Sequence, residues 1–336
     1  MTGSWPFVSI VVPTWNRAEY LEVCLRSLLV QDYPKDRYEV LVVDDGSIDA
    51  TPDVVASAAR PGHPDVRYRR QPHRGLNAAR NTGVADTTGQ LVCFVDDDEQ
   101  APPTWLSAIV DGAERFPEAA CLGGPMRLVF EGRPPRMCGD EPLGESELDY
   151  GRDTCEVRHV WGGNMAMPRW AFERVGLFDD ELLLGGTETE WHERLPAKDL
   201  RVRYLPDAWL WHRRVSDDLR VRRLVVRHVR RGRGQAINGS RVGRPYEAVR
   251  VARGLRRGLV HAARARCSAG LLSAALHAGR LLGMAEVKVR RKGRRSPARG
   301  RAPEVLAPTN GDRRSSGAPR APRSGLSNRV ADRPTW

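Results

Sequence analysis

Lysine is nearly missing from this chain. It occurs only at 35, 198, 288 and 292, while Lys and Arg together number 54. Positive charge is therefore carried by arginine, which with abundant Ala and Gly suggests a GC-rich bacterial source. No stretch reaches the roughly 18 consecutive apolar residues of a spanning helix, so none is expected. The first residues lack a basic region followed by an apolar core and a cleavage site, so no signal peptide is expected. No Gly-x-Gly-x-x-Gly follows the first apolar run, so nothing supports a dinucleotide fold. The six cysteines, Cys24, Cys93, Cys121, Cys138, Cys155 and Cys267, include no Cys-x-x-Cys pair. They are expected to be buried free thiols in a reducing cytosol.

Charge is present but unevenly placed. Residues 1–212 hold 22 Lys+Arg against 35 Asp+Glu, a net of −13, whereas residues 213–336 hold 32 against 7, a net of +25. The two parts are electrostatic opposites with different tasks. With 336 residues and 40% hydrophobic content, the chain is long enough for one large domain or two smaller ones.

The richest stretch is Leu-Val-Cys-Phe-Val-Asp-Asp-Asp-Glu at 91–99. Five apolar residues read as a strand buried on both faces. Four carboxylates follow at once. Like charges that close raise one another's pKa or recruit a cation. Oxygen donors suit magnesium or manganese, which typically also bind substrate phosphates. Ligands of open α/β sheets lie outside the carboxyl ends of strands. The stretch thus reads as a metal-diphosphate site at the end of a strand.

Upstream, Phe7–Trp15 reads as a strand stopped by Pro13. Asn16 is the expected N-cap of the next helix, with Glu19 completing a capping box. Tyr38–Val43 is a second strand ending in Asp44-Asp45-Gly46-Ser47, and Asp49 caps a helix over roughly 51–59. Val66–Arg69 is a third strand. The basic loop His73-Arg74-Gly75 enters a helix carrying Asn77, Arg80, Asn81 and Gly83. Strand and helix in this alternation predict a doubly wound, mostly parallel α/β sheet with a Rossmann-like nucleotide-binding half.

The segments Val-Val-Pro-Thr-Trp-Asn-Arg (11–17), Val-Val-Asp-Asp-Gly-Ser (42–47), Ala-Arg-Asn-Thr-Gly (79–83) and Phe-Val-Asp-Asp-Asp (94–98) resemble, in order and spacing, the successive motifs of family-2 glycosyltransferases. The resemblance covers about 6–212. It implies an A-type glycosyltransferase fold, a nucleotide-diphospho-sugar donor, with UDP-sugar the first expectation, a divalent metal (Mn2+ or Mg2+), and inversion at the anomeric carbon. Carried over, Pro13 and Thr14 would lie against the nucleoside, and one of Asp44 and Asp45, preferably Asp45, would accept from base or ribose. Arg80 would sit near the diphosphate, where a guanidinium fork matches phosphate. Asp96 and Asp97 would face the donor, and Asp98, with Asp96 and His212, would hold the metal. Trp161-Gly162-Gly163-Asn164 resembles the family's turn facing the reaction centre. In Gly185–Leu195, with Arg194-Leu195 as anchor, Glu188 falls on the catalytic-base position and Glu190 on the second acid. Thr187 stands where the family has its first acid, which leaves both glutamates as candidates. His192 is expected on the helix surface.

Pro103–Phe116 is predicted as a helix and Ala120–Gly124 as a strand. The polar, Pro/Gly-rich 125–159, with Asp140, Glu141 and Glu145, is expected to shape the acceptor side. The expected organisation is a catalytic domain over 1–215, with a nucleotide-sugar-binding half at 6–105 and an acceptor half at 106–215. Basic amphipathic helices follow over 216–284, then a disordered Arg/Pro-rich tail over 285–336. The helices could dock on an anionic membrane, which gives a cytoplasmic protein peripheral to the inner membrane face. The rivals are a catalytically weak glycosyltransferase-like scaffold, suggested by Thr187, and a basic nucleic-acid-binding protein. Against the latter, no recognised nucleic-acid motif accompanies the arginines.

Overall fold

The structure is a computed structural model. It describes residues 5–294 apart from 134, 136, 139–146, 183–186, 242 and 244. Asp140, Glu141, Glu145, Gly185 and, of the expected disordered tail, residues 295–336 lie outside the described residues.

The first half alternates β1 (Val8–Thr14), α1 (Ala18–Leu28), β2 (Tyr38–Asp44), α2 (Thr51–Ala58), β3 (Asp65–Arg70), α3 (Leu76–Ala85) and β4 (Leu91–Phe94). Then follow β5 (Glu99–Gln100), α4 (Trp105–Arg115), β6 (Ala119–Gly123), β7 (Met126–Glu131), β8 (Cys155–Val157) and β9 (Met165–Pro168). The chain continues through α5 (Arg169–Val175), α6 (Thr187–Arg194), β10 (Arg201–Tyr204), β11 (Leu210–Val215), α7 (Val221–Arg241), α8 (Ala248–Ala265) and α9 (Ser268–Arg294).

An 8-stranded sheet runs β3-β2-β1-β4-β9-β6-β10-β8, and a 3-stranded one runs β5-β11-β7. β3, β2, β1 and β4 are mutually parallel, with Val8 opposite both Tyr38 and Leu91. Their carboxyl ends therefore share one edge. Neighbouring side chains on β1 serve opposite faces, as a pleated strand requires: Ile10 and Val12 pack with Leu25 and Trp105, while Val11 packs with Leu41, Phe94 and Phe172.

Three local expectations change. Pro13 does not stop β1; it pairs with Val43, and β4 has already ended opposite Val11, so its missing N–H breaks no ladder there. Asn16 is not an N-cap. It sits at φ 53° and its carboxamide oxygen accepts from the Ile48 amide at 2.8 Å. Asp49 caps two helices instead, accepting from the Ala18 amide at 3.0 Å and the Thr51 amide at 3.2 Å. Burial would raise its carboxyl, but bonds from the Thr51 hydroxyl and these amides outweigh that and hold it below the ordinary value. The polar, Pro/Gly-rich 125–159 stretch contains β7 and β8. Finally, α9 continues past Met284 to Arg294, where the tail was expected to have begun.

α7 and α9 approach closely because glycine lines the seam. A Cβ on Gly232 would meet the Leu276 carbonyl at 2.0 Å, and one on Gly279 the Val229 carbonyl at 2.1 Å. Leu219, Leu224 and Leu272 form the adjoining apolar cluster, with Phe130 and Met137 packed against it. Among the described residues, no helix is long and apolar enough to cross a membrane.

Candidate active site

The shared register brings three motifs to one edge. Thr14 ends β1, Asp44 ends β2, and Asp96–Glu99 follows β4. The Thr14 hydroxyl donates to Asp97 Oδ2 at 2.8 Å. Arg17 forks across the acidic run, reaching Asp97 Oδ1 at 2.6 Å and Asp98 Oδ2 at 2.9 Å. β11 pairs with β5, placing His212 opposite Glu99. His212 Nε2 then lies 3.3 Å from Asp98 Oδ2, and Arg214 Nη1 donates to the same oxygen at 2.6 Å. Burial alone would push the Asp98 carboxyl up, but Arg17, His212 and Arg214 hold it well below the usual carboxylate range. Asp97 is pushed up to about 7, mainly by burial, against Arg17. Glu99 is raised well above the ordinary value by burial and by repulsion from Asp96 and Asp98.

A cleft of about 360 Å³ opens on this edge, with Pro13, Thr14, Asp45, Asp96, Asp97, Asp98 and His212 among its walls. Seven sequence-predicted residues are thus brought together. Asp44 is not among them. It is fully buried and accepts from the Ser47 amide at 2.7 Å and from the Tyr68 hydroxyl. Asp45 sits at the cleft, accepting from the amides of Arg74 and Gly75 at 2.9 and 2.8 Å. Gly75 has φ 96°, and this backbone lets two successive amides converge on one carboxylate.

Arg80 does not line the cleft. Only 1% exposed, it lies between Asp96 Oδ1 at 3.3 Å and Glu188 Oε2 at 3.9 Å. Such a buried guanidinium couples the acidic run to α6. Gly162 fits over it: a Cβ there would stand 2.5 Å from an Arg80 nitrogen, and one on Gly163 2.2 Å from Glu99 Oε1. Asn164 turns inward, accepting from Trp105 Nε1 at 2.9 Å and donating to the carbonyls of Pro125 and Ala208. Asn77 and Asn81 on α3 hold the backbone of Phe178 and Asp179, ahead of α6.

On α6, Glu188 is buried and faces Arg80, whereas Glu190 pairs with Arg194 at 3.1 Å. Burial raises the Glu190 carboxyl against that arginine. His192 is not on the surface. It is 3% exposed, and neither ring nitrogen has a hydrogen-bond partner among the described residues. Burial, with His159 and Arg80 nearby, lowers it to about 3, so the ring is neutral. Its place one turn after Glu188 was the available signal, since residues four apart share a helix face. Sequence reasoning also missed the parts played by Arg17, Arg214, Trp15 and His73. Trp15 and His73 stack with centroids 4.3 Å apart at the cleft.

The profile of "Glycosyl transferase family 2" matches residues 9–176, half of the chain. This protein belongs to glycosyl transferase family 2. Two curated relatives are a glucosyl-dolichyl phosphate glucuronosyltransferase of Haloferax volcanii and a validoxylamine A glucosyltransferase of Streptomyces hygroscopicus. The first is 30% identical over 177 residues, covering 51% of this chain and 56% of the relative. The second is 29% identical over 237 residues, covering 62% and 56%. The chain therefore spans little more than half the length of either relative. Among solved structures, the mannosyltransferase PcManGT of Pyrobaculum calidifontis, in complex with GDP-Man and Mn2+, has a TM-score of 0.53 at 19% identity. It covers 89% of this chain and 77% of its own. GalNAc-T7 with UDP, GalNAc and Mn2+ has a TM-score of 0.53 at 15% identity, covering 70% and 48%. The fold of this family-2 chain is accordingly the A-type glycosyltransferase fold expected from its motifs.

A divalent cation fits these residues. Ligand oxygens of Asp96, Asp98 and Glu99 lie within 4.8 Å of one another, and Glu99 Oε1 is buried with no hydrogen-bond partner among the described residues. A hard dication would offset the burial and the mutual repulsion of Asp96, Asp98 and Glu99 that raise the Glu99 carboxyl.

Proposed function

We propose that the protein is an inverting glycosyltransferase that moves a sugar from a nucleotide-diphospho-sugar, UDP-sugar in the first instance, to a hydroxyl acceptor. The observation that carries this reading is the convergence of Asp45, Asp96–Asp98 and His212 on one cleft, with buried Glu188 linked to Asp96 through Arg80. Asp45 accepts from the base or ribose, since a carboxylate accepts hydrogen bonds and gives none. Trp15 and His73 offer a flat surface to the nucleoside. Asp98, Asp96 and His212 would hold manganese or magnesium, which supplies Lewis-acid neutralisation of a leaving diphosphate. Arg17 and Arg214 add fixed positive charge at the same oxygens. Glu188 takes the acceptor hydroxyl proton as that oxygen attacks the anomeric carbon. Arg80 orients Glu188, 3.9 Å away, while Glu190, tied to Arg194, anchors α6.

The basic helices add a location. On α8, Val249, Arg253, Arg256 and Val260 recur at helical spacing and are exposed. We read this face as a peripheral contact with an anionic membrane at its cytoplasmic side. Several arginines of α7 are instead occupied within the protein, as Arg227 is with Asp218 at 3.3 Å. That reduces the charge left for nucleic acid.

A panel of UDP-, GDP- and other nucleotide sugars, screened for manganese-dependent thermal stabilisation, tests the donor reading. UDP-sugars should raise the melting temperature only with metal. Stabilisation by none of them, with or without metal, would reject it.

A further inference from the structure

Cys138, His261 and Cys267 form a cluster that the proposed reaction does not use. Cys138 follows β7, Cys267 lies in the turn between α8 and α9, and a disulfide joins them across 129 positions of sequence. This corrects the expectation of six free thiols; Cys24, Cys93, Cys121 and Cys155 are free. Cys267 is buried, Cys138 half-buried and His261 exposed. His261 Nε2 stands 2.9 Å from Cys138 Sγ. The Cys138 amide donates to Cys267 Sγ at 2.9 Å. Each sulfur thus has a donor that would stabilise it as a leaving thiolate, which is what thiol–disulfide exchange requires.

We propose that Cys138–Cys267 is a reversible redox-modification site, opened by a dithiol reductant and closed by a disulfide oxidant, with His261 as its proton donor. The reductant's thiolate attacks Cys138 Sγ, the more accessible sulfur. The Cys138–Cys267 bond breaks, a mixed disulfide forms on Cys138, and the electron pair leaves on Cys267 beside the Cys138 amide. The second thiolate of the reductant then attacks its own sulfur in the mixed disulfide. Cys138 departs as a thiolate and takes a proton from His261, which regains one from water. Cys267 is protonated by solvent. Two electrons and two protons pass to the protein, and the reductant leaves as its cyclic disulfide.

The position gives the exchange a consequence. β7 pairs along β11, with Leu128 opposite His212 and Phe130 opposite Arg214. The same strand end meets the helices through Phe130 and Met137. The cross-link therefore fastens the sheet that carries two residues of the acidic site to the α8–α9 turn. In a reducing compartment the dithiol form prevails, and oxidant closes the link.

The test uses the full chain, air-oxidised or treated with dithiothreitol, read by differential alkylation with mass spectrometry and by hydrogen exchange. Cys138 and Cys267 should become alkylated together and only after reduction. Exchange in peptides 130–133 and 266–272 should be at least about tenfold faster in the reduced protein, because losing the link lowers local opening free energies. The Cys138→Ser/Cys267→Ser variant should exchange like reduced protein whether or not reductant is present. His261→Asn should form the same disulfide and be reduced about tenfold more slowly. An unchanged rate in His261→Asn would overturn the proton-donor role. Alkylation of both cysteines in protein held in glutathione disulfide would overturn the redox site, as would equal exchange in both states. So would one equivalent of zinc whose removal by chelator alone freed both thiols.

Discussion

At the scale of single residues, the glutamates on α6 divide the labour. Glu188 faces Arg80, which also meets Asp96, and Glu190 faces Arg194 on its own helix. Glu188→Gln should keep nucleotide binding and lose sugar transfer by roughly 10²–10⁴-fold, the usual worth of a general base. Glu190→Gln should retain most activity and lose only the contribution of one partly buried i,i+4 pair, on the order of 0.5 kcal/mol. Steady-state transfer assays on both variants, with UDP binding measured separately, check the split; an inactive Glu190→Gln beside an active Glu188→Gln would reverse the roles. His192 yields a pH prediction. Its folded value near 3 lies below the ordinary value of 6.5, so below pH 6.5 the unfolded chain binds the extra proton. Its contribution to stability is complete above pH 6.5 and is lost as pH falls toward 3, at about 1.4 kcal/mol per pH unit. Denaturant unfolding between pH 6.5 and 4 should be less acid-sensitive in His192→Phe than in wild type, His159 and Arg80 being the neighbours that lower His192. The aspartates were legible because their type and order carry the chemistry. Arg17 and Arg214 were not, because their partners are set by strand registers, β1 on β4 for Arg17 and β11 on β5 for Arg214, which no local pattern encodes.

At the scale of elements, the parallel strands were readable from their apolar runs and the helices between them from periodicity. The ends were less so. The sequence placed Asn16 as a cap because a polar residue preceded the helix, but Asp49 reaches α1 from across the turn after β2. Since Asp49 serves α1 and α2 together, Asp49→Ala should cost about 1–2 kcal/mol, more than a typical single cap. Chemical denaturation measures this, and an unchanged midpoint would refute the double cap. β7 and β8 were hidden in a Pro/Gly-rich stretch whose pairing partners, β11 and β10, lie far along the chain. β7 nonetheless contains the apolar run Leu128-Val129-Phe130, the one local hint that a strand was there.

At the scale of the whole molecule, the opposed charges of the two parts have a structural counterpart. The acidic part gathers a cation-seeking edge, and the basic part is helical as far as Arg294. Removing 295–336 should leave the melting temperature unchanged. Removing 221–336 should uncover Leu219 and Phe130 and cost at least about 3 kcal/mol. Flotation of the full chain with anionic vesicles, weakened by salt and absent with neutral vesicles, is expected if α8 docks on headgroups; equal behaviour with both lipids would reject that location. The account as a whole turns on whether the edge formed by Asp45, Asp96, Asp98 and His212 binds a nucleotide together with a metal. Calorimetric titration of a UDP-sugar into the wild-type protein and into Asp98→Asn, each with manganese and with chelator, measures this directly. Binding by wild type with manganese, weakened at least about tenfold by chelator and by Asp98→Asn, is the expected result. Equal affinity under all four conditions would contradict it.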